Sequence, residues 1–168
     1  ACSALETAAI PENVTYISKN AFRGCSALPR ISIPKNVTGI GEYAFYGCQT
    51  VTELTIPDTV TSVAQNAFGS CTNLQKISIS DNLTTIGPSL FSGCKSIREV
   101  TIPQGVHTID DYAFNGCTAL ENVEIPDSVT EIGAHAFNGC KSLLELNLPN
   151  SLKTIEANAF NGCSDLKS

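Results

Sequence analysis

The residues of this chain best suited to chemistry are its thiols, its imidazoles and its paired carboxylates. The eight cysteines are Cys2, Cys25, Cys48, Cys71, Cys94, Cys117, Cys140 and Cys163, each 23 residues from the next. An even count of this kind raises disulfides or a metal site. Metal ligands must converge and usually come in pairs such as C-x2-C, and no such pair exists here. Thiols at one place in a repeating coil stack as a ladder with parallel Cβ vectors, an arrangement that does not suit a disulfide. The expectation is a column of buried free thiols acting as small apolar groups.

His107 and His135 stand at different places in their repeats, and neither has a matching Ser or Cys nucleophile. Asp110 and Asp111 are adjacent but lack the oxygen-rich loop of a calcium site. No Gly-rich phosphate loop, nucleophile elbow or zinc-protease helix is present. The sequence therefore offers no catalytic residue, no metal site and no cofactor, and the chain is expected not to be an enzyme.

What positions these residues is the repeat itself. The seven phenylalanines, from Phe22 to Phe160, keep the same 23-residue spacing, and no Cys or Phe lies outside its series. A fixed period of this length means a solenoid or a similar array. Three places after each Cys comes an aliphatic residue, as in Leu28, Val51 and Leu120. Two more follow with one residue between them, as in Ile31 and Ile33, Leu54 and Ile56, or Val123 and Ile125. That alternation predicts a short strand with one buried face. A Pro then stops it, because Pro cannot donate to a sheet ladder. A polar turn leads to a second apolar pair, such as Val37 and Ile40 or Val129 and Ile132. Gly41, Gly87 or Gly133 is expected to allow a bend, and Ala-Phe-x-Gly-Cys to form one helical or 3-10 turn. A lone unit cannot offset the entropy of ordering its backbone, so neighbouring units must stack and bury each other's faces.

The pattern L-x-x-I-x-I-P-x-x-V-T-x-I-G-x-x-A-F-x-G-C, which Leu120 to Cys140 follows at nearly every fixed position, resembles the BspA-like, or Treponema-type, leucine-rich repeat. The resemblance covers essentially the whole chain. It implies an α/β repeat fold: a right-handed solenoid with a short parallel β-strand per coil and short helical or 3-10 turns on the other side. It also implies a secreted or cell-surface protein linked to adhesion, with no catalytic residues. Residues 1–168 read as a single array of about seven repeats. The chain opens and closes inside a repeat, which predicts a longer parent protein. The pattern breaks at Ser70, Ser80, Pro88 and Leu90, where drift without function is the leading reading and a local irregularity, with a bend or a specific contact, the alternative.

Side chains between the buried strand residues must point outward. Five and seven places after each Cys this picks out Arg30, Glu53, Thr55, Lys76, Ser78, Glu99, Thr101, Asn122, Glu124 and Glu145 as candidate ligand-binding residues. They vary while the core does not, which suits a protein or glycan partner. Tyr43, Tyr46 and Tyr112 fall on the turn side as a second candidate contact. The net charge of −6 argues against nucleic acid. The charge is uneven: Glu99 to Glu131 holds seven acids and no Lys or Arg. No run is long enough to span a membrane. The leading expectation is a non-enzymatic interaction module. The alternative is a structural spacer whose copies self-associate by stacking end to end through exposed strand edges.

Overall fold

The structure is a computed structural model that describes residues 2–167. Its eleven strands are short: β1 (Tyr16–Ile17), β2 (Gly39–Ile40), β3 (Glu53–Thr55), β4 (Ser62–Val63), β5 (Lys76–Ser78), β6 (Thr85–Ile86), β7 (Glu99–Thr101), β8 (Thr108–Ile109), β9 (Asn122–Glu124), β10 (Glu131–Ile132) and β11 (Thr154–Ile155). All pairings are parallel, and each residue pairs with the one 23 positions away. The chain is a β-solenoid, as the period requires.

Two strand columns run along it. The expected strand after each Cys forms β3, β5, β7 and β9, paired two by two as β3–β5 and β7–β9. The second apolar pair, to which the repeat pattern assigned no strand, also lies in strands. These give the ladders β1–β2–β4 and β6–β8–β10–β11. The second column is interrupted once, before the coil that begins at Cys71, while the first pairs only across the steps from Cys48 to Cys71 and from Cys94 to Cys117. Along the second column Thr38 donates its N–H to Thr15, Thr61 to Thr38, His107 to Thr84 and Thr130 to His107. Among the described residues the step between Thr61 and Thr84 is missing from this series. The interruption falls where Ser70, Ser80, Pro88 and Leu90 break the repeat.

The core is the set of inward columns. Phe45, Phe68, Phe91, Phe114 and Phe137 are buried and stacked at centroid distances of 5.3–6.0 Å. Leu28, Val51, Leu74, Ile97, Leu120 and Leu143 are buried beside them. Cys25 to Cys140 are buried, Cys2 is exposed and Cys163 is half-buried. In the coil that begins at Cys140, Leu148 and Ile155 are exposed.

The expected helical or 3-10 turn does not form: among the described residues there is no helix. The reason lies in how the peptide groups alternate. The N–H groups of Ala21, Arg23 and Cys25 bond three residues back within the coil, at 3.2 Å each. Those of Asn20, Phe22 and Gly24 bond to Glu42, Ala44 and Tyr46 of the next coil, at 2.7–2.9 Å. A helix would turn every N–H inward along one coil. Here every second group links coils, and the positive φ of Asn20 (59°) and Gly24 (70°) sets the alternation.

The bend assigned to Gly41 and Gly133 also has a different cause. Neither has a positive φ. A Cβ on Gly41 would sit 2.6 Å from the Lys19 nitrogen, and one on Gly133 would sit 2.6 Å from the Asp111 nitrogen. These glycines let one coil's backbone approach the last. Ser80, standing where Pro is expected, is fully buried and donates its hydroxyl to the Val60 carbonyl at 2.7 Å. Ser128 and Ser151 do the same for Val106 and Val129. No buried side-chain polar atom among the described residues lacks a partner.

Candidate functional site

The strand register fixes the outward grid. All ten candidate residues are exposed: Arg30, Glu53, Thr55, Lys76, Ser78, Glu99, Thr101, Asn122, Glu124 and Glu145. Eight of them lie on strands, in the facing pairs Glu53–Lys76, Thr55–Ser78, Glu99–Asn122 and Thr101–Glu124. Arg30 and Glu145 occupy the same coil position outside any strand. The side chains connect along the column. Lys76 Nζ is 3.4 Å from Glu53 Oε1, and the Thr101 hydroxyl donates to Glu124 at 3.1 Å. Arg98 and Glu121, one place away from the expected grid, pair at 2.7 Å. Exposed pairs of this kind add roughly 0–1 kcal/mol each, so they arrange the face more than they stabilise it.

The face is polarised. A hollow at its start is lined by Arg30, Glu53 and Thr55 together with Lys35 and Asp58. A second is lined by Lys76, Arg98, Glu99 and Thr101. A third is lined by Glu99, Thr101, Asn122, Glu124, Glu145 and Asn147, and holds no basic side chain. The charge therefore runs from mixed to acidic along the array, and such a gradient orients a charged partner as it approaches.

The groups with latent chemistry are occupied by structure. The thiols from Cys48 to Cys163 each donate to the carbonyl of the Phe 26 residues earlier, for example Cys94 to Phe68 at 3.2 Å and Cys117 to Phe91 at 3.3 Å. Burial pushes the Cys48 and Cys140 thiols up to about 12. A buried thiol held protonated is a poor nucleophile. Asp110 accepts from the Asp111 N–H at 2.8 Å, and Asp111 accepts from the Ala134 N–H at 2.7 Å. Among the described residues no group of three His, Cys, Asp or Glu side chains gathers as metal ligands would. His107 Nδ1 lies 3.2 Å from the Ser128 carbonyl.

On the turn edge the tyrosines do more than the repeat pattern suggested. Arg23 lies over the rings of Tyr43 and Tyr46, at 4.9 and 5.5 Å. Tyr112 stacks on His135 with ring centroids 4.8 Å apart. The signal for the second pair was present in the sequence, since both stand eighteen places after a Cys.

Comparison with known proteins rests on this same repeat. The family profile described as BspA type leucine rich repeat region matches in six copies, over residues 1–120 and 84–168. The chain belongs to this leucine-rich repeat family. A leucine-rich repeat protein from Bacteroides ovatus is 36% identical, with a TM-score of 0.86, over 90% of this chain and 39% of its own. The Treponema pallidum leucine-rich repeat protein is 29% identical, with a TM-score of 0.64, over 83% of this chain and 74% of its own. A leucine-rich cell surface protein from Faecalibacterium prausnitzii is 26% identical, with a TM-score of 0.52, over 94% of this chain and 51% of its own. The chain spans about two fifths of the length of the B. ovatus protein. No curated protein is significantly similar to it.

Proposed function

We propose that this array is a non-enzymatic, protein-binding module of a secreted or cell-surface protein, and that it binds through the outward face of the first strand column. The observation that carries the reading is the grid itself. Ten exposed side chains of varied charge and size stand at fixed spacing on a core whose columns barely change. Family membership supports a binding role, and the named cell-surface protein of F. prausnitzii supports the location. No helix among the described residues is long and apolar enough to cross a membrane.

The acidic hollow around Glu99, Glu124 and Glu145 is the part of the face most able to select a partner, one with a basic surface. Reversing all three charges to Lys should slow association with such a protein and invert its salt dependence. The test is surface plasmon resonance against extracellular-matrix and epithelial surface proteins at low and physiological ionic strength. Binding of every partner at wild-type rates by the triple variant would remove this face from consideration.

A further inference from the structure

A second surface lies on the turn edge, around a cation that the chain leaves without a counter-charge. Two places before the Cys that closes each unit stand neutral residues, from Tyr46 to Asn161, and in the first unit Arg23. The later members of this column satisfy one another: Asn138 donates to Asn115 at 2.7 Å and Asn161 to Asn138 at 3.1 Å. Arg23 is the one charged residue in the column. The chain as a whole is acidic, yet from Lys19 to Gln49 it holds four basic residues and a single acid, Glu42. That carboxylate is paired with Lys19. Among the described residues no carboxylate pairs with Arg23.

The guanidinium is held by two rings and a carboxamide. It lies over Tyr43 and Tyr46 of the next coil, at 4.9 and 5.5 Å, and those rings meet edge to face at 5.5 Å. Its Nη1 donates to Asn20 Oδ1 at 3.4 Å. An arginine carries five N–H donors in a planar fork, so donors remain for a ligand. A guanidinium already stacked on rings loses little freedom when it binds. Beside it is a hollow of about 580 Å³, lined by Asn20, Arg23, Ser26, Tyr46 and Gln49 together with two glycines. No acidic and no aliphatic side chain lines it.

We propose that this hollow binds an acidic sugar, with its carboxylate on Arg23. A guanidinium and a carboxylate fit as two parallel N–H···O bonds. The sugar adds hydroxyls, which the carboxamides of Asn20 and Gln49 and the hydroxyl of Ser26 can bond. An acidic peptide shares the carboxylate, but its other side chains would find no aliphatic surface here to bury. The hollow shares no residue with the outward grid of the strand face, so the two readings stand or fall separately.

The experiment is an amide NMR titration of the whole 168-residue chain with the methyl glycosides of N-acetylneuraminic acid and of glucuronic acid. At least one should shift the Gly24, Gly47 and Gln49 signals, and the tighter one names the sugar. The methyl esters of both acids, which lack the charge, should bind at least about tenfold more weakly. Arg23→Gln should lose about tenfold or more in affinity, and Arg23→Lys, which keeps the charge without the fork, should fall between it and wild type. Arg98→Gln, at the strand face, should bind as wild type does. The ester comparison needs no variant, so it decides the matter even where Arg23→Gln does not fold. The proposal is overturned if neither sugar moves these signals, if the esters bind as well as the acids, or if a folded Arg23→Gln matches wild type. It is also overturned if a glutamate tripeptide binds at the same signals more tightly than both sugars.

Discussion

The rings of Phe68 and Phe91 stand 6.0 Å apart, the widest step in a phenylalanine column whose other steps are 5.1–5.5 Å. The Phe68 N–H reaches the Leu90 carbonyl at 3.2 Å, where the equivalent bonds from Phe45 and Phe114 are 2.8 Å. Leu90 is the cause: it fills, fully buried, a position that holds Ala in the neighbouring coils.

Truncating Leu90 should therefore cost less than truncating an ordinary core leucine. Leu→Ala in a rigid core costs about 2–5 kcal/mol because the cavity stays open. At Leu90 the column can close toward its regular spacing. The expectation is a loss below about 2 kcal/mol for Leu90→Ala against about 3 kcal/mol for Leu120→Ala, read from urea unfolding. Equal losses would show that the wide step has another origin.

Two glycine substitutions separate backbone strain from backbone contact. Gly116 has φ 71°, and a Cβ there would meet nothing closer than 4.0 Å. Gly116→Ala should cost only the left-handed penalty, about 1–2 kcal/mol. Gly133→Ala drives a Cβ to 2.6 Å from the Asp111 backbone nitrogen. It should cost about 3 kcal/mol, in the range of overpacked sites. The order of the two unfolding midpoints is the check, and the reverse order would contradict the contact.

The thiol ladder predicts alkaline instability. Burial raises the thiols of Cys48, Cys117 and Cys140 above their ordinary value of 9.0, and a side-chain hydrogen bond with Cys94, with burial behind it, raises that of Cys71. Unfolded thiols ionise first, so above about pH 9 the unfolded chain binds fewer protons than the folded one, and stability falls as pH rises. The fall should continue to about pH 12, where the folded Cys48 and Cys140 thiols ionise. Urea midpoints measured from pH 7 upward should show it, and replacing these four residues by Ala should flatten the curve. At pH 8, before unfolding, a thiol reagent should label Cys2 far faster than the ladder.

The acidic end of the strand face should respond to salt. Glu99, Glu124 and Glu145 line one hollow without a basic side chain. Screening of this repulsion should raise the Tm of the wild type between low and physiological ionic strength. Glu145→Lys should remove much of that rise and gain a few tenths of a kcal/mol at low salt. A Tm insensitive to salt in both proteins would show that the carboxylates do not interact.

The period of 23 made the stacking, the inward columns and the outward grid legible, because each follows from counting. The second strand column was less legible. Its strands are two residues long, and the spacing of Val37 and Ile40 suggests no alternation. The turn segment was misjudged because its hydrogen bonds are shared with another coil. Asn20 and Ala21 look alike in a local reading, yet one N–H leaves the coil and the other stays. The glycines divide in the same way. The glycine before the Cys supplies a positive φ, while Gly41 and Gly133 supply room, and the sequence alone does not distinguish the two needs. Tyr112 and His135 were each read alone, whereas the stack between them follows from their shared place in the coil.

The uneven rungs give the array a mechanical character. Pulled along its axis, a solenoid carries load through its rungs in parallel, and it holds longest where most share the tension. Among the described residues only the step from the Cys94 coil to the Cys117 coil is paired in both strand columns, as β7–β9 and β8–β10, so that step is the stiffest. Under an optical trap those two coils are expected to be the last to separate. A first rupture between them would place the strongest point elsewhere.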